Sequence, residues 1–154
     1  MGYQSKNQGK YKPRHPEKYV GNVDNICFLS SWELHMNKFL DNNPNILRWS
    51  SEEIAIPYVK PTTGKVHKYY PDYWIEYKDK DGNIHQEIIE VKPDAQTRPP
   101  KAPKRKSTSA KTNQRILREQ MTYAVNVAKW KACQQFCDHQ GVKFRIVTEK
   151  QLFK

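Results

Sequence analysis

The chain of 154 residues has no long hydrophobic run and few cysteines. No apolar stretch approaches the roughly 20 residues that span a bilayer, so membrane binding is not expected. Cys27, Cys133 and Cys137 form an odd set without a disulfide pattern, which suits a reducing cytoplasm. Cys133, Cys137 and His139 lack the second ligand pair of a zinc finger, so we expect buried, reduced thiols instead of a zinc site.

Acidic residues are also scarce relative to basic ones. The chain has 16 Asp and Glu against 27 Lys and Arg, which gives a formal net charge of +11 at pH 7. Such a charge attracts a polyanionic partner, and nucleic acid is the simplest candidate. The length predicts a single domain, and the hydrophobic residues are clustered enough to build one core.

The N-terminal segment differs in composition from the rest of the chain. Residues 1–25 are rich in Lys, Tyr, Asn, Gly and Pro without hydrophobic periodicity, and we interpret them as an extended basic N-terminal arm. Residues 26–154 then form one domain. Its first helix begins at Ser30 or Ser31, where Ser30 and Glu33 fit a capping box, and it ends at Asn42 before a proline.

The remaining hydrophobic pattern predicts an α/β fold. Three strands at 53–59, 66–77 and 84–92 form an antiparallel meander, and a strand at 143–148 follows a helix at 113–139. An apolar stripe that includes Leu117 and Met121 marks this helix. The resulting order is α-β-β-β-α-β, with a central mixed sheet flanked by helices, because the last strand joins through a helical crossover.

Two acidic residues and one lysine are predicted to share a pocket. A period of two places Glu90 and Lys92 on one face of their strand. Antiparallel pairing through the turn at 79–83 brings Asp72 close to Glu90. Asp72 and Glu90 could then hold Mg²⁺, Lys92 could orient the nucleophile, and Glu33 on the first helix could supply a third carboxylate. This combination suits phosphodiester hydrolysis.

These residues carry a resemblance to a known superfamily. Glu33, then Pro71-Asp72, then Glu90-Val91-Lys92 resembles the signature of the PD-(D/E)XK nucleases, and the match covers roughly residues 30–148. In length, in its tyrosine-rich and lysine-rich start and in its motifs, the chain also resembles the head completion nucleases of T-even-type bacteriophages. It is similar, too, to the endonuclease subunits of TnsA-type transposases. The motifs are Ser31-Trp32-Glu33-Leu34, Tyr70-Pro71-Asp72-Tyr73 and Ile89-Glu90-Val91-Lys92-Pro93.

The resemblance implies a restriction-endonuclease-like core and a DNA endonuclease that uses Mg²⁺, with Mn²⁺ as a substitute. It implies Glu33, Asp72, Glu90 and Lys92 as catalytic residues, and Asp72, Glu90, Val91 and Glu33 as metal ligands. The phage resemblance implies cutting of double-stranded DNA at the portal end after packaging, in the host cytoplasm or at the head–neck junction of the virion. Portal or neck proteins are the implied partners.

A basic loop at 93–111 follows the predicted active strand, where a DNA phosphate would have to lie. No base-reading helix or ribbon is evident, so sequence-independent or structure-specific recognition is expected. The superfamily often uses a further polar residue on the next helix, which Gln114 or Gln120 could supply. The candidate DNA-binding residues are Lys101, Lys104, Arg105, Lys106, Lys111 and Arg115.

Each motif also has a structural interpretation. Glu33 could serve only as the partner of Ser30 in the capping box, Glu90 and Lys92 could form an exposed ion pair, and Asp72 could shape a turn. The protein could accordingly be a non-catalytic DNA-binding neck or portal adaptor, or a transposase-type nuclease subunit that a partner activates. The conjunction of the motifs favours the endonuclease. The oligomeric state stays open.

Overall fold

The structure, a computed structural model, describes residues 8–101 and 109–152. Its helices are α1 (Ser31–Asn42), α2 (Ala110–Gln140) and α3 (Glu149–Leu152), with 3-10 turns at Pro16–Lys18, Val23–Asn25 and Asp94–Thr97. Its strands are β1 (Gly9–Lys10), β2 (Cys27–Phe28), β3 (Ile46–Ser51), β4 (Ile56–Val59), β5 (Val66–Tyr69), β6 (Tyr73–Lys78), β7 (Ile84–Val91) and β8 (Lys143–Val147). None of the described helices is long and apolar enough to cross a membrane.

A four-stranded mixed sheet forms the centre of the protein. Its strand order is β3-β6-β7-β8, and only the β7–β8 pair is parallel. Because α2 connects β7 to β8, the core follows the order α1-β3-β6-β7-α2-β8. The predicted α-β-β-β-α-β order and restriction-endonuclease-like core are therefore confirmed. A separate two-stranded hairpin, β4–β5, is inserted between β3 and β6.

Hydrophobic side chains cover both faces of this sheet. On one face, Met36 and Leu40 of α1 pack against Trp49 and Ile89. On the other face, α2 and the β4–β5 hairpin pack around Ile88. Ile88 and Ile89 are neighbours on β7 and are 1 % and 0 % exposed, so β7 is buried on both faces, as expected. The polar residues at the end of β7 thus emerge between two cores.

Several predicted strands were wrong in detail. The strand at Ile46–Ser51 was missed, because a bulge near Ile46 interrupts the alternation of its buried residues. The strand predicted at 53–59 is shorter and belongs to the separate hairpin. The strand predicted at 66–77 divides into β5 and β6 around Pro71, which has no N–H to donate to a ladder.

The long helix differs from its prediction at its first turn and on its apolar stripe. It begins at Ala110, three residues before the predicted start at 113, because Ser109 caps it. Leu117 and Met121 are 57 % and 44 % exposed instead of buried. The fully buried residues of α2 lie from Asn126 onward, so the helix packs on the sheet through its second half.

The described part of the N-terminal arm lies against the domain and contributes to its core. Tyr19 is only 8 % exposed and packs on the sheet. The buried carboxylate of Asp41, on α1, accepts hydrogen bonds from the Tyr11 hydroxyl at 2.7 Å and from the backbone N–H groups of Arg14 at 2.7 Å and His15 at 2.9 Å. This buried carboxylate therefore joins three groups of the segment to α1.

Replacement of Asp41 by alanine should destabilise the fold. The change leaves three donors without their acceptor, so we expect the free energy of unfolding in urea to fall by about 3 kcal/mol. Amide hydrogen exchange of residues 11–15 should accelerate more than that of β7. Asp81→Ala, in an exposed turn, is the matched control and should change stability by less than about 0.5 kcal/mol. Equal effects of the two substitutions would contradict this role of Asp41.

The contribution of Asp41 should also depend on pH. Desolvation raises the pKa of this carboxyl, but the hydrogen bonds from Tyr11, Arg14 and His15 outweigh it and hold the pKa below its ordinary value of 3.8. A carboxylate with a lowered folded pKa stabilises the protein above the unfolded pKa and loses that contribution as the pH falls through the folded value. The difference between wild type and Asp41→Ala should therefore persist at pH 5 and shrink below pH 3.8.

Candidate active site

The register of β6 and β7 brings two of the predicted site residues together. Tyr73 pairs with Ile89, so the next position on each strand places Asp72 opposite Glu90. The backbone N–H of Val91 donates a hydrogen bond to Asp72 Oδ2 at 2.7 Å. This bond fixes the Asp72 carboxylate at the end of β7.

Both carboxylates lie in surroundings that disfavour a negative charge. Glu90 is 5 % exposed, and its Oε2 accepts a hydrogen bond from the Tyr69 hydroxyl. Desolvation raises the pKa of Glu90 to about 7, against the opposing effect of the Lys92 ammonium group. Desolvation likewise raises the pKa of Asp72 to about 7, against the hydrogen bond from Val91. Near neutral pH a bound cation would therefore stabilise the charged form of both carboxyl groups.

Lys92 stands directly after β7, on the same side as Glu90. Its backbone N–H donates to the Val147 carbonyl at 3.0 Å, which ties this end of β7 to β8. Its ammonium group lowers the pKa of both Asp72 and Glu90. The structure thus brings the predicted lysine and the two predicted carboxylates into one site.

Glu33 has the position expected from both of its interpretations. Its backbone N–H donates to Ser30 Oγ at 3.2 Å, and its Oε2 accepts from the Leu29 backbone N–H at 2.7 Å, so it caps α1. Its carboxylate is nevertheless near enough to raise the pKa of Asp72. The Tyr73 hydroxyl also donates to the Glu33 carbonyl at 3.0 Å, which anchors the start of α1 beside the site.

Sequence reasoning missed a fourth carboxylate at the site. Glu52 follows β3, and its backbone N–H donates to the Asp72 carbonyl at 3.1 Å. Its backbone has a φ of 54°, a left-handed conformation that is uncommon for a residue other than glycine. Desolvation and the Glu33 carboxylate raise its pKa. No motif marks Glu52 in the sequence, because it enters the site only through the unpredicted strand β3.

A second lysine, Lys129 of α2, was also missed. Its Nζ lies 5.9 Å from the centre of the Tyr58 ring and 5.7 Å from that of Tyr69. Desolvation lowers its pKa and the Glu90 carboxylate opposes that effect, so the two charges are neighbours. Its spacing of four residues from the buried Cys133 could have indicated a lysine on the packed side of the helix.

The remaining predicted residues are the helix residue and the DNA-binding residues. Gln114 and Gln120 are exposed on the first half of α2, and Gln114 lines the same groove as Lys129, so the predicted helix residue stays a prediction. Lys101, Lys111 and Arg115 are exposed, the last two on the first two turns of α2. The other three predicted DNA-binding residues lie outside the described part of the chain: Lys104, Arg105 and Lys106.

The oxygens gathered here suit a hard cation. Asp72 and Glu90 provide carboxylate oxygens, and Val91 can provide only its main-chain carbonyl. Mg²⁺ is typically bound by one or two carboxylates and completes its shell with water and substrate phosphate. Among residues 8–101 and 109–152, no group of three or more His, Cys, Asp or Glu side chains is arranged to hold a metal ion. The fit therefore rests on two carboxylates and the main chain.

Comparison with known proteins agrees with this geometry. Residues 43–149 match the family described as TnsA-like endonuclease N terminal. The chain belongs to this family of endonuclease domains, as the resemblance predicted, and the match includes Asp72, Glu90 and Lys92 but not Glu33. The chain is also 40 % identical, over 144 residues, to the head completion nuclease of Enterobacteria phage T4. That alignment covers 94 % of this chain and 92 % of the phage T4 protein.

The raised pKa of Glu90 predicts that Glu90→Gln stabilises the protein in EDTA. The group binds more protons folded than unfolded, so its cost is absent below the ordinary pKa of 4.5 and is complete above the folded pKa of about 7. The gain in unfolding free energy should therefore be small at pH 4.5 and reach up to about 3 kcal/mol at pH 8. Glu149→Gln, on α3, serves as the control. A Gln variant that is less stable than wild type at pH 8 would contradict this account of the site.

Proposed function

We propose that this protein is a metal-dependent DNA endonuclease of the PD-(D/E)XK type. The observation that carries the proposal is the placement of Asp72 opposite Glu90, with Lys92 beside them, at the end of a strand that is buried on both faces. The net charge of +11 supports a polyanionic substrate, and double-stranded DNA is the one we propose.

Each residue has a distinct role in this proposal. Asp72, Glu90 and the Val91 carbonyl would hold Mg²⁺, for which Mn²⁺ could substitute, and Glu33, also predicted as a ligand, would add negative charge nearby. A bound cation of this kind polarises the phosphoryl oxygen and makes a water molecule more acidic. Lys92 orients the attacking water, while Lys129 offsets the charge that develops on the phosphate.

We further propose that the protein works during phage head completion, as the name of its phage T4 relative suggests. It would cut DNA at the portal end of a packaged head, inside the infected host cell, and prepare the head for tail joining. Portal or neck proteins are the proposed partners, and incorporation into the virion at the head–neck junction is part of the same proposal.

The first test is cleavage of supercoiled plasmid in Mg²⁺, Mn²⁺ or EDTA. Wild-type protein should nick or linearise the plasmid only with metal. Asp72→Asn, Glu90→Gln and Lys92→Ala should each slow cleavage by about 100-fold or more, because each removes part of the site without removing bulk from the core. Lys80→Ala, on the exposed turn after β6, is the control for lost positive charge. DNA binding without cleavage by any version would instead favour a non-catalytic adaptor or a subunit that needs a partner.

A second test separates the two roles of Glu33. Glu33→Gln keeps an oxygen that can accept from Leu29 but removes the negative charge, whereas Ser30→Ala removes the capping hydroxyl and keeps the charge. We expect Glu33→Gln to slow cleavage by about tenfold or more at unchanged stability. Ser30→Ala should instead cost about 1 kcal/mol of stability and leave cleavage of the folded protein intact. If Glu33→Gln cleaves DNA at the wild-type rate, Glu33 acts only as a cap of α1.

A further inference from the structure

A groove of about 500 Å³ runs between the hairpin turn after β4 and the first half of α2. We refer to it as the α2 groove. Lys129 is among its lining residues, and the same side chain lies beside Tyr69, whose hydroxyl donates a hydrogen bond to Glu90. The α2 groove therefore adjoins the active site. Its described lining consists of Lys60, Thr62, Gln114, Leu117, Arg118, Met121, Thr122, Val125, Asn126 and Lys129.

The charge of the α2 groove has one sign. Lys60, Arg118 and Lys129 line it, and none of its described lining residues is acidic. Desolvation and the nearby ammonium groups of Lys92 and Lys60 lower the pKa of Lys129, and the Glu90 and Asp72 carboxylates oppose this effect. A phosphate chain along the groove would relieve this repulsion.

The groove also has an apolar side that a duplex backbone would not use. Leu117 and Met121 line it and are 57 % and 44 % exposed. Contact with a phosphate would not stabilise these apolar side chains. Contact with the face of an unstacked base would bury apolar surface on both sides. Cavities of roughly 300–1,000 Å³ hold small organic ligands, so a groove of about 500 Å³ has room for about one or two nucleotides.

On the basis of the endonuclease function proposed above, we propose that the α2 groove binds an unpaired DNA strand next to the active site. Lys60 and Arg118 hold its phosphates, and Leu117 and Met121 contact its bases. Lys129 meets the phosphate that is nearest to Glu90. The preferred substrate is then a duplex with a single-stranded tail or flap, and the junction lies at the catalytic carboxylates.

The test compares a blunt duplex with two tailed duplexes by fluorescence anisotropy in EDTA. The tailed forms are the same duplex with a short unpaired 3′ tail and with a short unpaired 5′ tail. Wild-type protein should bind one tailed form about tenfold more tightly than the blunt form, since burial of the exposed parts of Leu117 and Met121 against a base contributes roughly that much. Equal binding of all three forms would overturn the proposal.

Two groove variants and one control make the test specific. Arg118→Glu reverses a charge in the groove, and Leu117→Ser removes an exposed apolar contact. Lys131→Glu makes the same charge change on the same helix at an exposed residue outside the groove lining. We expect the first two variants to lose most of the preference for tailed DNA and Lys131→Glu to retain it. Loss of preference in all three, or in none, would contradict a role for the groove.

This outcome is independent of the cleavage test, because binding in EDTA requires no catalysis. If the protein prefers tailed DNA but cleaves no plasmid, the proposal for the groove stands and the proposed endonuclease function fails. If the protein cleaves plasmid but binds blunt and tailed DNA equally, the endonuclease function stands and the proposal for the groove fails.

Discussion

The pairing of β6 with β7 is the constraint on which the rest of the site depends. Its register places Asp72 opposite Glu90, and the Val91 N–H locks Asp72 onto the end of β7. A shift of one residue would turn every side chain of a strand to the other face and would separate the two carboxylates. The two hydrophobic cores on either side of β7 hold this register, because Ile88 and Ile89 each fill one of them.

The same arrangement carries a cost in stability. Burial raises the pKa of both Asp72 and Glu90 to about 7, although Lys92 lies close to both. An adaptor that only bound DNA would gain stability by replacing such groups with neutral ones. Their presence beside a lysine therefore favours a site that uses negative charge to hold a cation.

Local patterns in the sequence were sufficient for the centre of the site. Strand periodicity and the turn at 79–83 placed Asp72, Glu90 and Lys92 together, and the capping box placed the start of α1. Residues that reach the site through long-range packing were not predictable in this way. Glu52 depends on β3, whose bulge hid its alternation, and Lys129 depends on how α2 docks. The exposure of Leu117 likewise depends on how α2 docks, since the buried residues of that helix lie from Asn126 onward.

The most direct test of the account is the position of a bound metal. Crystals soaked in Mn²⁺, which replaces Mg²⁺ and scatters anomalously, would locate it without reference to activity. If Asp72 and Glu90 hold the metal, an anomalous peak should lie within coordination distance of carboxylate oxygens of both residues, with the Val91 carbonyl oxygen as a further ligand. A peak elsewhere in the protein, or none near these carboxylates at saturating Mn²⁺, would contradict it.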